Sequence, residues 1–480
     1  MSFEKIVTNK RRQHTKVAKT RNLAEELASD HSRIIYSPSF RRLSKKAQVF
    51  SLESNAAVRT RITHSLEVSD VGRLIAYAIT KQLLDKEVIS EELQLPIIYA
   101  VESACLVHDI GNPPFGHFGE MAIQKWFEAN WESCYKKAEN VAVAKERIKD
   151  LVKDFLHFDG NPQGLRILLR LKRDRDEYSY NLTYTTILSF IKYVRSPSEE
   201  KDGSELKKKA GYFESERKIV EDMKVELGLS KDARFPLAYI MEAADDIAYC
   251  ISDIEDGIEK KIITETDFFQ ELKKEWDKEC ESVAKIDFPF SFESKTYYEE
   301  EEFFNFKIYY TQKAVERATN YFVERVDELV IGKSASLFPK DCEELKAFDC
   351  LKKVARKKLF RSAEAENAEL AGLQIVSGLL EKFKPLLDCT KEQFNKLIAG
   401  KENPKEVAGQ NLDVEWRLFN RLPKKYVLAY EDQLKEFAGE DFPEWYFRAH
   451  LIVDYISGMT DTFALEQYQL LSGIKIMQER

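Results

Sequence analysis

Apolar residues recur at helical spacing along nearly every long stretch of this chain, and the two-residue alternation of a strand is hard to find anywhere in it. From Arg61 to Leu84 the residues Ile62, Leu66, Val71, Leu74, Ile75, Ala78, Ile79 and Leu83 approximate a 3.6-residue period. After Pro96, which suits a first helical turn, Ile97, Val101, Ala104 and His108 fall on one stripe. Gly111, Pro113 and Pro114 then stop that helix just past the doublet His108-Asp109. Phe235 to Lys261 reads as a third long helix, with Ile240, Ala244, Ile247, Ile251, Ile254 and Ile258 as its buried stripe. Tyr180 to Tyr193 is rich in Thr and Tyr yet fits a helix from Thr185 onward. Gln312–Leu329, Ala365–Phe383, Asp432–Gly439 and Glu444–Tyr468 repeat the pattern. The pattern predicts an all-α fold. Two stretches break it: Ser196–Gly211, polar and lysine-rich, is expected to be a mobile loop, and Asp287–Phe306, with prolines, aromatics and an acidic run, an inserted lobe.

A chain of 480 residues can bury a large core, and its length alone allows two to four domains. Lysine and arginine total 74 against 82 acidic residues, a net charge of −8, which argues against a protein dominated by nonspecific nucleic-acid binding. The N-terminus lacks the apolar core of a signal peptide, and no apolar run reaches membrane-spanning length. Seven scattered cysteines, none in a CxxC pair, read as reduced thiols. The expected compartment is the cytoplasm, with no membrane partner.

Chemistry concentrates in His64, His108, Asp109 and Asp245. A His-Asp doublet at a helix end, joined by a distant His and a distant Asp, can surround one divalent cation. Imidazole plus carboxylate is a borderline-hard set suited to Mn, Fe, Co, Ni, Zn or Mg, with open positions for water and phosphate oxygen. The plainer reading of each histidine is a satisfied core or surface group. His108, however, lies on an apolar stripe, where an ionisable group needs a partner. Asp245, Tyr249 and Asp253, spaced i, i+4, i+8, share one face of their helix and point to a wet cleft, whereas Asp246 points elsewhere. His117 and Glu120, three apart, are close enough for the carboxylate to orient an imidazole suited to proton transfer; the alternative is a capping pair without catalytic work.

These residues together resemble the HD-domain phosphohydrolases, and within them the deoxyguanosinetriphosphate triphosphohydrolase branch. The likeness extends through Ser37-Pro38-Ser39-Phe40-Arg41-Arg42-Leu43, Ala47-Gln48-Val49-Phe50, Arg59 to Val68, His108 to Glu120, Met241 to Tyr249, and Asp454-Tyr455-Ile456-Ser457-Gly458-Met459-Thr460-Asp461. The resemblance implies metal ligands at His64, His108, Asp109 and Asp245, with Mg or Mn as the metal and Ni, Co, Fe or Zn also admitted. It implies His117 as catalytic histidine supported by Glu120. Gln48 and Asp253 match positions that hold the deoxyribose 3′-hydroxyl. Tyr249 matches the residue packed on the sugar, where its ring leaves no room for a 2′-hydroxyl. Arg61, Lys192 and Tyr193 match phosphate-contacting positions. The family's basic C-terminal end is altered here, with Thr462-Phe463 and Gln467-Tyr468-Gln469 in place of more basic residues, which puts contacts carried there in doubt.

The organisation implied is an N-terminal segment plus HD core over 1–265, and a helical C-terminal region over 266–480 that completes the pocket and carries oligomer contacts, with an inserted lobe near 287–340. The activity implied is metal-dependent hydrolysis of deoxynucleoside triphosphates, dGTP favoured, to deoxynucleoside and inorganic triphosphate. The partners implied are a homo-oligomer of hexameric order and a dNTP or single-stranded DNA effector. The rival readings are an HD-type phosphohydrolase on a monophosphate, cyclic dinucleotide or alarmone, and a single-stranded DNA-binding protein using Lys207-Lys208-Lys209 or the basic pairs Arg41-Arg42 and Lys45-Lys46. Such runs are usually solvated surface.

Overall fold

A computed structural model describes residues 3–13, 21–142, 144–171, 179–280, 302–339, 342–400, 407 and 411–475. The fold is all-α: among the described residues the β-structure is confined to two isolated bridges, Arg11 with Thr183 and Ala47 with Thr60. The helices that position the site are α1 (Leu23–Ile35), α2 (Arg61–Asp85), α3 (Glu91–Val107), α4 (Gly116–Glu139), α5 (Tyr184–Phe190), α6 (Pro236–Glu259), α7 (Glu302–Glu324), α8 (Glu343–Lys358), α9 (Ala363–Asp388), α10 (Lys424–Glu436), α11 (Glu444–Ser457) and α12 (Asp461–Leu471).

Helices α2, α3 and α6 pack on one another and form the centre, flanked by α1 and α5 on α3, α7 on α2, and α8 on α6. Their crossing is close because Gly72 has no side chain: a Cβ there would lie 2.6 Å from Cys105 Sγ, 3.2 Å from Val101 and 3.6 Å from Ala244. One glycine thus lets α2, α3 and α6 meet, and each of the three carries or abuts one part of the doublet-and-distant-ligand set. Around them Ile75, Ile79, Val101, Ala104, Ala244 and Ile247 are buried, the apolar driving force for the arrangement.

The second group of helices wraps α4. Helix α9 lies along α4, while α11 and α12 pack on α9 and α10 packs on α11. A fully buried ion network ties α11 to residues 163–170 and to Glu216. Arg166 bonds both oxygens of Asp454 in α11 at 2.9–3.0 Å and Glu216 at 3.2 Å; Arg170 bonds Glu216 at 2.5 Å; and Gln163 donates to Asp454 at 2.9 Å. Removing one member would strand a buried charge, at a cost of about 3–5 kcal/mol.

Some element boundaries differ from the periodicity. Pro96 sits inside α3, which begins five residues earlier at Glu91 after the N-cap position Ser90. A proline so near the start loses one hydrogen bond, to a carbonyl of the exposed first turn, and the helix tolerates it. The stretch Glu444–Tyr468 is two helices. The chain breaks at Gly458, and Thr460 Oγ1 accepts from Phe463 N at 3.3 Å to start α12. Gln312–Leu329 is likewise interrupted at Arg325 between α7 and the short helix Val326–Val330. Segment 196–211 is a loop, but a pinned one: Val194 N bonds Leu206 O at 3.0 Å, Arg195 Nε bonds Lys207 O at 2.7 Å and Gly211 N bonds Arg195 O at 2.9 Å. Of the expected lobe, residues 287–301 lie outside the described residues, and 302–306 are the opening of α7. No helix among the described residues is long and apolar enough to cross a membrane.

Candidate metal centre and its cavity

His64 lies in the first turn of α2, and His108 is the residue that closes α3. Nδ1 of His108 sits 2.7 Å from the carbonyl oxygen of Cys105, so it carries the proton and donates. That bond fixes the tautomer and leaves the Nε2 lone pair free. Nε2 of His108 lies 3.4 Å from Oδ1 of Asp245 and 3.6 Å from Oδ1 of Asp109; Nε2 of His64 lies 3.4 Å from the same Oδ1 of Asp245. Ligand atoms of His64, His108 and Asp109 fall within 4.8 Å of one another. Asp245 joins through its contacts with both imidazoles. Its helix neighbour Asp246 instead pairs with Lys352 of α8 at 3.1 Å.

Both carboxylates are held by neighbouring donors. Arg61 pairs with Oδ2 of Asp109, Asn112 Nδ2 donates to its Oδ1 at 2.6 Å, and Lys192 pairs with Oδ2 of Asp245. Burial opposes the charge on Asp245, but Lys192, His108 and His64 outweigh it and hold its carboxyl well below the usual range. Burial likewise opposes the charge on Asp109, and Arg61 and His108 overcome it. Burial, helped by the nearby charges of His64 and Lys192, keeps His108 below the ordinary imidazole value against the pull of Asp109 and Asp245. The Nε2 atoms of His64 and His108 are buried and make no hydrogen bond of normal geometry. Two orphaned imidazole nitrogens facing two ionised carboxylates are a donor set that a divalent cation satisfies. The residues therefore fit the metal.

The loop after His108 turns back sharply. Phe115 and Gly116 both take left-handed backbone, φ +61° and +53°. Glycine does so freely, whereas at a bulky residue the conformation costs about 1–3 kcal/mol and marks a constrained turn. It launches α4 so that His117 and Glu120 share its first turn. His117 Nδ1 lies 2.8 Å from Glu120 Oε2, and Glu120 Oε1 accepts from Gly160 N at 2.7 Å. The Glu120 carboxylate raises the His117 pKa above the ordinary value. His117 itself is exposed while Glu120 is buried.

A cavity of about 360 Å³ opens beside the metal centre. Its wall includes Gln48, Arg61, His108, Asp109, His117, Glu120, Lys192, Tyr193, Asp245 and Tyr249. His64 and Asp253 lie behind the wall. Burial pushes the Asp253 carboxyl up to about 7 against the opposing pull of His64, and neither of its oxygens makes a well-formed hydrogen bond. Gln48 Oε1 is buried and unpaired as well. The wall also holds residues that sequence reading passed over. Lys209, from the run taken as solvated surface, faces inward with Nζ 2.7 Å from Asp159 Oδ2, whereas Lys207 and Lys208 pair with exposed acids outside. Asp159 and Asn161 also line the cavity, as do Lys352, Phe360 and Glu369 from α8, the link after it and α9. Nothing in the local sequence distinguishes Lys209 from its neighbours; the pinned loop decides which lysine turns in.

Residues 417–470 fit the family model of the phosphohydrolase-associated domain. The match covers α10, α11 and most of α12, the helices packed on and around α9. It points to an HD-type phosphohydrolase, a metal-dependent class in keeping with the His/Asp cluster.

Proposed function

We propose that this protein hydrolyses deoxynucleoside triphosphates to the deoxynucleoside and inorganic triphosphate, with dGTP the favoured substrate by resemblance. The observation that carries the reading is one juxtaposition. A metal-ready His/Asp cluster opens onto a cavity of nucleotide-binding size whose lining includes the cations Arg61, Lys192 and Lys209 together with Tyr249 and Gln48. His64, His108, Asp109 and Asp245 would hold a divalent cation, which when bound polarises a phosphate oxygen and acidifies water.

The protein's own residues account for the rest. Arg61, Lys192 and Lys209 offset triphosphate charge, and the planar fork of Arg61 suits two phosphate oxygens. Hydrolysis at the α-phosphorus expels the 5′-oxygen, which needs a proton. His117 supplies it from Nε2, since Nδ1 is committed to Glu120, whose carboxylate raises the ring's pKa and so favours its protonated form. Glu120 cannot swing away, because its other oxygen is held by Gly160 N. Tyr249 would pack on the sugar, with Gln48 and Asp253 as partners for its 3′-hydroxyl. The C-terminal region would complete the pocket, a reading supported by Lys352, Phe360 and Glu369 on its wall.

A product assay tests the proposal. The purified protein with Mn²⁺ or Mg²⁺ is given each dNTP and GTP, and the phosphorus-containing product is identified. Inorganic triphosphate from dNTPs, with GTP spared, is expected. Pyrophosphate or orthophosphate would move the protein to a different HD-type reaction.

A further inference from the structure

The conspicuous segment Asp454 to Asp461 has no part in the mechanism above, yet its last residue reaches two walls of the cavity. Asp461 Oδ2 accepts from Ala47 N at 3.0 Å, and Asp461 Oδ1 accepts from Phe115 N at 3.0 Å. Ala47 immediately precedes Gln48. Phe115 is the left-handed residue two before His117. One buried carboxylate therefore spans two chain segments that are far apart in sequence and that each present a cavity residue.

Helix capping does not explain this carboxylate. Asp461 is the first residue of α12, but the start of that helix is capped by Thr460, and both Asp461 oxygens point out of the helix to other segments. The neighbouring Lys46 completes the clamp. It is buried, and its ammonium bonds the carbonyl oxygens of Asn112 and, at 2.8 Å, Ser457. The Lys46 carbonyl accepts from Arg61 N at 2.9 Å. The two buried charges, Lys46 and Asp461, attract each other. The strap at 46–48, the loop at 112–117 and the turn at 457–461 are thus lashed together beside the cavity, and the last of these lies in the segment that matches the phosphohydrolase-associated domain.

We propose that Asp461, balanced by Lys46, is a positioning residue: it fixes the backbone arms that carry Gln48 and His117, so that the C-terminal helices set the geometry of the catalytic cavity. This rests on the hydrolase reading above for its catalytic consequence, and on the hydrogen bonds alone for the clamp. Charge-assisted bonds to backbone amides are the strong kind. Losing them frees both arms without touching a metal ligand.

The test uses Asp461→Asn, Lys46→Met and the double variant in the full-length protein with Mn²⁺. In Asp461→Asn, amide hydrogen exchange should rise about tenfold or more over residues 46–51 and 112–118, and stay unchanged in the middle of α3. Manganese stoichiometry should stay at that of the wild type. With dNTP substrate, kcat should fall about tenfold or more and KM rise, because small displacements of a general acid are costly. Each single variant leaves one buried charge unbalanced and should lower Tm. The double variant removes both charges and should regain part of that loss while kcat and exchange protection stay lost. Unchanged exchange in the two segments would overturn the clamp. A kcat that returns together with Tm in the double variant would reduce Asp461 to a stability role. If the wild type hydrolyses no dNTP, the functional reading fails, and the exchange result still decides the clamp.

Discussion

At the scale of single residues, the site depends on which nitrogen of each imidazole is committed. His108 gives Nδ1 to the Cys105 carbonyl, and His117 gives Nδ1 to Glu120. The first is buried and left with a bare lone pair. The second is exposed, anchored to a carboxylate and left with a proton. The same side chain thus serves as ligand in one place and acid in the other, by environment alone. His117→Ala should bind substrate but turn over about 100-fold slower or worse, the usual scale for losing a general acid. Steady-state kinetics with a separate binding measurement check this, and near-wild-type kcat would remove His117 from the mechanism. Sequence spacing paired His117 with Glu120 before any coordinates, because three residues apart in a helical turn leaves little freedom. It could not find Lys209, whose inward turn is decided by the ties of its loop to Val194 and Arg195.

At the scale of elements, the three central helices are as close as Gly72 permits. Gly72→Val should force α2 away from α3 and α6, destabilising the protein by about 1–3 kcal/mol and weakening metal binding together with stability. Denaturant unfolding and a metal titration on the same sample check it; a variant as stable as wild type would mean that the crossing is slack. The helices themselves were legible wherever a long apolar stripe faced a core, as in α2, α3, α6 and α9. Their ends were less so. Pro96 reads as a start signal, yet Glu91 to Leu95 continue the helix before it. The break at Gly458 hides inside a run apolar enough to read as one helix, since most of α11 is buried all round and shows no polar stripe to mark its end.

At the scale of the whole molecule, the second helical group buries ionisable side chains that take no part in the site. Asp154 accepts from the Tyr446 hydroxyl and from Glu214 N, and His450 Nε2 lies 3.6 Å away. Burial drives the Asp154 carboxyl well above its ordinary 3.8 and His450 well below its ordinary 6.5. Both directions favour a folded pair that carries its proton on the carboxyl and not on the imidazole. The unfolded pair also holds one proton between pH 3.8 and 6.5, but on the histidine, so the pair contributes no pH dependence in that window. Above 6.5 the unfolded pair holds none, and stability falls as pH rises. In His450→Phe the decline should begin near 3.8 instead, so stability relative to wild type should fall as pH rises above about 4, with a slope of at most about 1.4 kcal/mol per pH unit. Urea unfolding of both proteins across that range checks it, and parallel profiles would show that Asp154 is ionised in the fold. None of this network was legible in the sequence, because its members lie in unrelated segments and each alone looks like a surface charge. The metal set was legible for the opposite reason. A His-Asp doublet is rare enough to notice, and Asp245 stands on an apolar helix whose other polar residues share its face.

The central claim is that His64, His108, Asp109 and Asp245 hold one divalent cation, and its most direct test is a calorimetric titration of metal-free protein with Mn²⁺, beside Asp245→Asn, which keeps the side-chain shape and removes the charge. The account predicts one ion per wild-type chain and an affinity at least about 100-fold weaker in the variant, with the helical signal unchanged. Equal binding by a correctly folded Asp245→Asn protein, or none by the wild type, would contradict it.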